Sequence, residues 1–335
     1  MKNVTKILTA AVFCAALFAS DQRIDALGGN AAFWPGDEAN IALFPAQVNN
    51  HSFLQFDGVG TVCNSWTVDG DCDGYATDTG GASLLINKDG TAWGFNYAED
   101  DADGSDWVNM AWGNGDMGVN VGMQGGDTDG DMSVSWGGSF NFGELGVHLG
   151  MPGGEDLQNT DASAPNYDVN APDDIDEYAQ TLGVAWRKDC GFWIFDNAVV
   201  VAPDLMADDL MFSANMFSHH DAGGADVMFA WGMNYDGSKD GGIDQTATIG
   251  VEANMTDWAT VRAGYNWTYG LTCDETNCTN GGTMDAFSWG LGFNWGGLTA
   301  DMSVTSGLFQ DPVGAVTGYD DGGLTNSAVT LTYNF

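Results

Sequence analysis

From about residue 50 onward, the sequence repeats runs of about ten residues in which large apolar and small polar side chains alternate, each run followed by a turn. A period of two indicates β-strands whose two faces meet different surroundings. In the clearest run, 258–271, one face carries Val261, Ala263, Tyr265, Trp267 and Tyr269, and the other carries Thr260, Arg262, Gly264, Asn266 and Thr268. This pattern dominates the chain, so we expect an all-β fold.

The composition of the two faces indicates which way they point. Runs at 224–236, 244–254 and 284–295 repeat the pattern, with mostly aromatic and aliphatic residues on one face and Gly, Ser, Thr and Asn on the other. A soluble sandwich would carry Lys and Glu on its outward face, and these runs carry few. The pattern therefore predicts a transmembrane antiparallel β-barrel with aromatic side chains toward lipid and small polar ones toward the lumen. A secreted β-sandwich or β-helix is the alternative.

The spacing of the runs predicts about 16 strands, with 14 also compatible. Short and long connections alternate, which is typical of barrels with short periplasmic turns and longer extracellular loops, the latter acidic here. The predicted strands are 51–58, 81–87, 91–98, 107–113, 116–125, 132–142, 145–151, 177–187, 191–202, 209–219, 224–236, 244–254, 258–271, 284–295, 298–306 and 325–335.

The two ends of the chain carry export signals. Residues 1–20 begin with Lys2 and Lys6 and continue with an apolar stretch, which predicts a secretory signal peptide. Residues 21–50 form a periplasmic lead-in or a plug segment, and 51–335 form the barrel. The last strand alternates up to Phe335 and resembles the C-terminal strand of bacterial outer-membrane proteins. That resemblance implies insertion by the barrel assembly machinery into the outer membrane of a Gram-negative cell.

The charge is strongly one-sided, with 8 Lys and Arg against 47 Asp and Glu and a net charge of -39. Such a chain repels phosphate, which excludes nucleic acid as a partner. The acids concentrate in the predicted outer loops, where they would attract cations and repel anions. Solubility, or adaptation to salty water, would explain the same concentration of acids in the outer loops.

Few charged side chains point into the predicted lumen. Alternation places Glu252, Arg262, Asp301 and His148 there as candidate pore-lining residues, with Arg187 and Asp196 as further candidates. Inward charges can set ion selectivity. Glu252 and Arg262 lie on adjacent predicted strands, so a structural ion pair is the other interpretation.

One loop has the beginning of a calcium site. Asp69, Asp71 and Asp73 are spaced as D-x-D-x-D-G, which suits a Ca²⁺ loop, although Gly80 stands where the bidentate Glu is expected. Ca²⁺ is the single cofactor that the sequence suggests. Asp-Gly pairs are frequent in this chain, so a chance match is the alternative.

The cysteines suggest disulfides rather than a metal centre. Cys63 with Cys72, and Cys273 with Cys278, are close pairs in polar, loop-like stretches, so an oxidising compartment would favour two short disulfides. Cys190 is left over.

Residues 23–46 contain three short motifs: Gly28-Gly29-Asn30, Asp37-Glu38-Ala39 and Phe44-Pro45-Ala46. They resemble the opening of FadL-like and PorV-like outer-membrane proteins, and each motif departs from that pattern by one residue. The resemblance implies an N-terminal segment tucked inside or under the barrel, in a fold that usually has 14 strands. It also implies transport of hydrophobic compounds or a role in secretion.

No motif indicates an enzyme, because G-x-S-x-G, P-loop and H-E-x-x-H sequences are absent. Three functional hypotheses remain. The first is a porin-like channel for passive diffusion of small hydrophilic solutes, with cations preferred. The second is a plugged FadL-like or PorV-like transporter or secretion scaffold. The third is a structural surface barrel whose acidic loops bind divalent cations. The expected partners are outer-membrane lipid and small solutes or cations, and a homo-oligomer stays open.

Overall fold

The computed structural model describes residues 21–59, 81–100, 105–126, 131–151, 180–207, 209–238, 242–271, 283–305, 319–320, 323–324 and 329–335. The strands are β1 (Phe53–Val59), β2 (Gly81–Lys88), β3 (Thr91–Asp100), β4 (Ser105–Gly113), β5 (Met117–Gly126), β6 (Met132–Phe140), β7 (Gly143–Met151), β8 (Thr181–Phe192), β9 (Phe195–Ala202), β10 (Met211–Asp221), β11 (Ala225–Asp236), β12 (Ile243–Thr256), β13 (Ala259–Gly270), β14 (Thr283–Trp295), β15 (Leu298–Thr305), β16 (Tyr319–Asp320), β17 (Gly323–Leu324) and β18 (Val329–Asn334).

Within the described residues, β1–β15 and β18 form one closed antiparallel barrel of 16 strands, and β16 and β17 form a separate two-stranded ribbon. Consecutive barrel strands are neighbours, and the barrel closes between β1 and β18, where Phe53 lies opposite Asn334. Closure removes the unpaired edges that an open sheet would expose. The predicted fold class and the count of 16 are confirmed.

The two faces of the strands point as the alternation predicts. Large apolar side chains on the outer face are exposed, for example Trp93 (63%) and Met110 (57%), whereas Asn96 and Asn109 on the same strands are buried on the inner face. Successive side chains of a strand point to opposite faces, so one alternating run supplies both surfaces. The outside is therefore apolar, and small polar groups line much of the inside.

Two predicted turns lie elsewhere. The connection predicted at 187–191 belongs to β8, which continues to Phe192, and the turn follows at 193–194 with Trp193 at a positive φ of 57°. The register between β8 and β9 shifts at a bulge between Asp189 and Phe192. Residues 188 and 189 therefore stay paired with β9, and the strand does not end at them. Likewise β7 already begins at Gly143, two residues before the predicted strand 145–151.

Residues 21–50, which we call the N-terminal segment, precede the first strand. They form an α-helix at Asp21–Ala26, a 3-10 turn at Ala31–Phe33, a short α-helix at Asn40–Leu43 and a 3-10 helix at Pro45–Asn50. Among the helices of the described residues, none is both long and apolar enough to cross a bilayer.

The apolar cores lie between the N-terminal segment and the inner wall. In the first, segment residues Phe33, Trp34 and Phe44 pack in one cluster with Phe217 and Met228 of the wall. In the second, the segment contributes Ile41 and Val48, and the wall contributes Phe53, Leu85, Ala92 and Ala111. Each large side chain buried in this way stabilises the docked segment by about 1.5–3 kcal/mol.

Candidate functional site: the lumen and its N-terminal segment

The N-terminal segment lies inside the barrel, at the end where the turns between strands are short. The helix Asp21–Ala26 contacts β13, β14, β15 and β18, and the 3-10 helix Pro45–Asn50 contacts β2 to β6 on the other side of the lumen. Asn49 reaches the turn between β4 and β5, where its Oδ1 accepts a hydrogen bond from the backbone N–H of Gly115 at 2.8 Å. The segment therefore crosses the lumen from one wall to the other.

A chain of ion pairs joins the segment to β12, β13 and β15. Arg262 donates from Nε to Glu252 Oε2 at 2.6 Å and from an Nη atom to Asp301 Oδ1 at 2.5 Å. Arg23 of the segment donates to the same Glu252 carboxylate at 3.0 and 3.2 Å, and it also pairs with Asp37. Burial alone would lower the pKa of Arg23, but the carboxylates of Asp37 and Glu252 raise it above its ordinary value, so the guanidinium stays charged.

A second buried guanidinium holds the middle of the segment. Arg187, only 3% exposed, pairs with Glu144 and donates to Asn40 Oδ1 at 2.7 Å and to the Ala32 carbonyl at 3.1 Å. Its Cζ lies 4.4 Å from the centroid of the Phe44 ring, a cation–π contact. The planar fork of arginine suits this arrangement because it makes several directed hydrogen bonds at once.

Several wall side chains bind carbonyl groups of the segment backbone. His148 Nε2 lies 3.0 Å from the Leu43 carbonyl, and His219 Nε2 lies 2.7 Å from the Phe33 carbonyl. Asn266 donates from Nδ2 to the Gly28 carbonyl at 2.6 Å. These bonds satisfy backbone acceptors that a segment with such short helices cannot pair internally.

Glycines in the wall make room for the segment. A Cβ added at Gly118 would overlap the Pro45 carbonyl, and one at Gly146 would overlap the Leu43 carbonyl. At Gly264 the same atom would overlap the backbone N of Gly28. Some inward glycines of the alternating pattern therefore contact the segment backbone and do not border an open lumen.

A cavity of about 300 Å³ remains between the segment and the wall of β13, β14, β15 and β18. Charged side chains line it, namely Arg23, Asp37, Glu38, Arg262 and Asp301, together with Thr and Asn side chains. Burial, reinforced by the nearby Asp37 carboxylate, raises the pKa of Glu38 to about 8, although Arg23 acts in the opposite direction. The surroundings of Glu38 therefore favour its protonated form more than water does.

The structure brings three of the candidate pore-lining residues together. Glu252, Arg262 and Asp301 point inward and form the ion-paired chain, with Arg262 and Asp301 largely buried. His148 also points inward, but it lies under Leu43 at a different part of the wall. Asp196 was expected to face inward, and this is wrong, because it is exposed and alternates with Val199 and Val201, which take the inward positions of β9.

The candidate metal and disulfide residues lie outside the described residues. These are Asp69, Asp71, Asp73, Cys63, Cys72, Cys273 and Cys278, so both hypotheses stay predictions. Within the part of the chain that the structure describes, no group of three or more His, Cys, Asp or Glu side chains could hold a metal ion. Cys190 is exposed on β8 and carries a free thiol.

Sequence reasoning missed the segment's own partners. Arg23 and Asn40 pair with wall residues, Asp37 pairs with Arg23 within the segment, and His219 was not identified as an inward side chain that contacts the segment. A signal was available, because residues 21–50 contain a single base near several acids and the predicted lumen carries a similarly sparse set of charges. Comparing the charges of residues 21–50 with the inward charges of the predicted strands would have suggested that the segment contacts the barrel wall.

No family model matches the chain, and no curated protein matches it. Among solved structures, the chain is similar to a mutant of the Rh. blastica porin, at 13% identity and a TM-score of 0.42, over 85% of this chain and 99% of that one. It is also similar to Wzi of Escherichia coli, an outer-membrane protein involved in group 1 capsule assembly, at 10% identity and a TM-score of 0.39, over 98% and 97%. These are likenesses of fold alone, and the 16 strands differ from the 14 that the FadL-like resemblance implies.

Proposed function

We propose that this protein is a channel of the bacterial outer membrane whose N-terminal segment narrows the lumen at the periplasmic end. The observation that carries the proposal is the seating of residues 21–50 inside a closed barrel by the Arg23–Glu252 ion pair, the hydrogen bonds of Arg187 and the contacts of wall side chains with segment carbonyls. The apolar, aromatic outer face supports a lipid environment.

The route past the segment would be the cavity beside β13–β15. Its lining offers hydrogen-bonding and charged groups throughout, so small hydrophilic solutes keep polar partners as they pass. The lining includes three acids and two arginines, and the chain as a whole carries -39. Both features favour cations over anions.

A second candidate is a barrel that the segment keeps closed, as in a plugged transporter or a structural surface protein. The contacts that hold the segment support it, because Arg23 would have to leave Glu252, and Arg187 its acceptors on Asn40 and Ala32, before the lumen opened. Ca²⁺ binding by the acidic loops would belong to this second candidate.

Planar-bilayer recording of the refolded mature chain tests the proposal. We expect small conductance steps, with cations more permeant than anions. Gly146→Val overlaps Leu43 and should unseat the segment, raising the conductance several-fold. Gly125→Val is the matched control, because a Cβ there makes only an ordinary contact, at 3.9 Å from the Asp106 carbonyl.

The outcomes separate the two candidates. Zero conductance of the unmodified chain together with conductance of Gly146→Val would favour the closed barrel. Zero conductance of both proteins would overturn the channel proposal.

A further inference from the structure

The cavity between the N-terminal segment and β13, β14, β15 and β18 opens toward the short-turn end of the barrel. At that end the lining residues Gly36, Asn294 and Asn334 are exposed. Deeper in the cavity, Thr332 and Asp301 are each only 3% exposed. Short turns face the periplasm in outer-membrane barrels, so a periplasmic solute can enter here. The volume of about 300 Å³ suits a small ligand.

Both guanidinium groups of the lining already have carboxylate partners. Arg23 pairs with Asp37 and Glu252. Arg262 pairs with the same Glu252 and with Asp301. An anionic ligand would have to displace these carboxylates and would leave them buried without a counter-charge, which is costly. Anions are therefore poor ligands of this cavity.

The remaining carboxyl of the lining, Glu38, has no basic side chain within ion-pair distance among the described residues. Its charged neighbours are Asp37, Arg23 and Asp301. Burial, together with the Asp37 carboxylate, raises the pKa of Glu38 above its ordinary value, because the more distant Arg23 compensates the ionised form only in part. When Glu38 is ionised, the lining carries three carboxylates and two guanidinium groups, so a single positive charge on a ligand balances it.

A hydroxyl group without a partner lies in the same cavity. Oγ1 of Thr332 is buried and has no hydrogen-bond partner among the described residues. The register places Thr332 opposite Thr299 on β15, which lies opposite Asn294 on β14. Opposed residues of neighbouring strands lie about 5 Å apart, so these three side chains form a polar strip along the wall of the cavity. A ligand group that pairs with the buried hydroxyl gains affinity, because leaving such a group unpaired is unfavourable.

These groups define the chemistry of the ligand. Within the part of the chain that the structure describes, no group of three or more His, Cys, Asp or Glu side chains could hold a metal ion. A primary ammonium needs one carboxylate and further oxygen acceptors, which Glu38 and the polar strip supply. The amide N–H groups of Asn294 and Asn334 are donors, and they suit hydroxyl groups on the rest of the ligand.

We propose that the cavity binds small monovalent primary amines that carry hydroxyl groups, with the ammonium at Glu38 and the hydroxyls along the polar strip. Amino alcohols are the simplest members of this class. As the substrate class of the route past the segment, the inference rests on the proposed function, whereas binding itself does not need conduction.

Calorimetric titration of the detergent-solubilised chain with 3-amino-1,2-propanediol near pH 7 tests the binding. Glycerol keeps the hydroxyls and lacks the charge, and propylamine keeps the charged amine and lacks the hydroxyls. We expect the amino alcohol to bind at least about ten times more tightly than glycerol and about three times more tightly than propylamine. Titration in buffers of different ionisation enthalpy should report release of up to about one proton, because the ammonium displaces the proton of Glu38.

Variants of the lining separate the two parts of the site. Glu38→Gln should weaken binding of the amino alcohol at least about ten-fold and abolish proton release. Thr332→Val should weaken binding about three-fold, and thermal stability should stay equal or rise because the replaced hydroxyl has no partner. Asp25→Asn is the matched control for Glu38, since Asp25 is an exposed acid of the same segment outside the cavity lining. It should leave the affinity within about two-fold.

Equal binding of the amino alcohol and glycerol, or an unchanged affinity in Glu38→Gln, would overturn the inference. Bilayer recording of the same chain measures passage separately. Zero conductance with amine binding retained would contradict the channel and leave the binding site standing. Conductance without saturable binding of the amine would contradict the binding site and leave the channel standing.

Discussion

Two parts of the inner surface hold the N-terminal segment in different ways. The charged wall, which comprises β7–β15, contributes Glu144, Arg187, Glu252, Arg262 and Asp301, which pair with one another, and Glu252 also pairs with Arg23 of the segment. The neutral wall, which comprises β2–β6, contributes apolar side chains, amides and glycines. The segment mirrors this division, because 21–40 carries all its charges and 41–50 carries none.

The difference teaches what each wall can do. Paired buried charges fix one geometry and are costly to separate, so the charged wall acts as a lock. Hydrogen bonds between neutral groups contribute about 1 kcal/mol each, so the neutral wall should hold the segment less firmly. One alternating pattern in the sequence therefore produces two inner surfaces that differ in how they hold the segment.

The largest expected effect comes from breaking the lock. Arg23→Met removes the segment's ion pair with Glu252 and leaves the buried Asp37 without its guanidinium partner, which should weaken segment docking by about 3–5 kcal/mol. Chymotrypsin cleavage after the buried Phe33 reports the undocked population, and we expect cleavage to accelerate more than about 100-fold.

The matched change on the neutral wall is Asn96→Leu. It removes hydrogen bonds between wall side chains, worth about 1 kcal/mol, so cleavage should change by less than about five-fold. Equal acceleration by the two variants would contradict the distinction between the walls.

A pH effect of intermediate size is expected from Glu38. Its pKa of about 8 in the docked segment lies above the ordinary value of 4.5, so docking binds a proton in this window and weakens as pH rises from about 5 to 8. The groups around Glu38 are Asp37, Arg23 and Asp301. In bilayer recordings, occupancy of the large-conductance state should increase with pH.

Glu38→Gln removes the proton exchange and should flatten this dependence. A falling occupancy in the unmodified chain, or an identical slope in the variant, would show that Glu38 does not control docking.

The sequence alone predicted the barrel well, since alternation reports directly which side chains each face buries. β13 is an example, with Arg262 inside and Tyr265 outside as expected. It misplaced the turn after β8 because two adjacent charged residues such as 188–189 are typical of a turn. In the structure both residues stay in β8 through their pairing with β9, which the sequence does not report. The sequence did not decide whether residues 21–50 enter the barrel. An inward glycine such as Gly146 is compatible both with an empty lumen and with close contact to another backbone segment.

The smallest expected effect is that of salt on the lock. Raising KCl from 0.1 to 1 M shortens the Debye length from about 10 to about 3 Å, which screens exposed charges but hardly affects buried pairs. Chymotrypsin cleavage of the segment should change less than about two-fold, whereas the preference for cations should decline. A large salt effect on cleavage would mean that the ion pairs are solvated.

The account depends most on the position of residues 21–50, and backbone hydrogen exchange of the refolded chain in lipid measures it directly. The amides of Leu27, Trp34, Asn40 and Phe44 donate to carbonyls within the segment and are enclosed by the wall. We predict protection comparable to that of strand amides in β12 and β13. Exchange of these four amides at the rate of an unstructured peptide would contradict the docked segment and the function built on it.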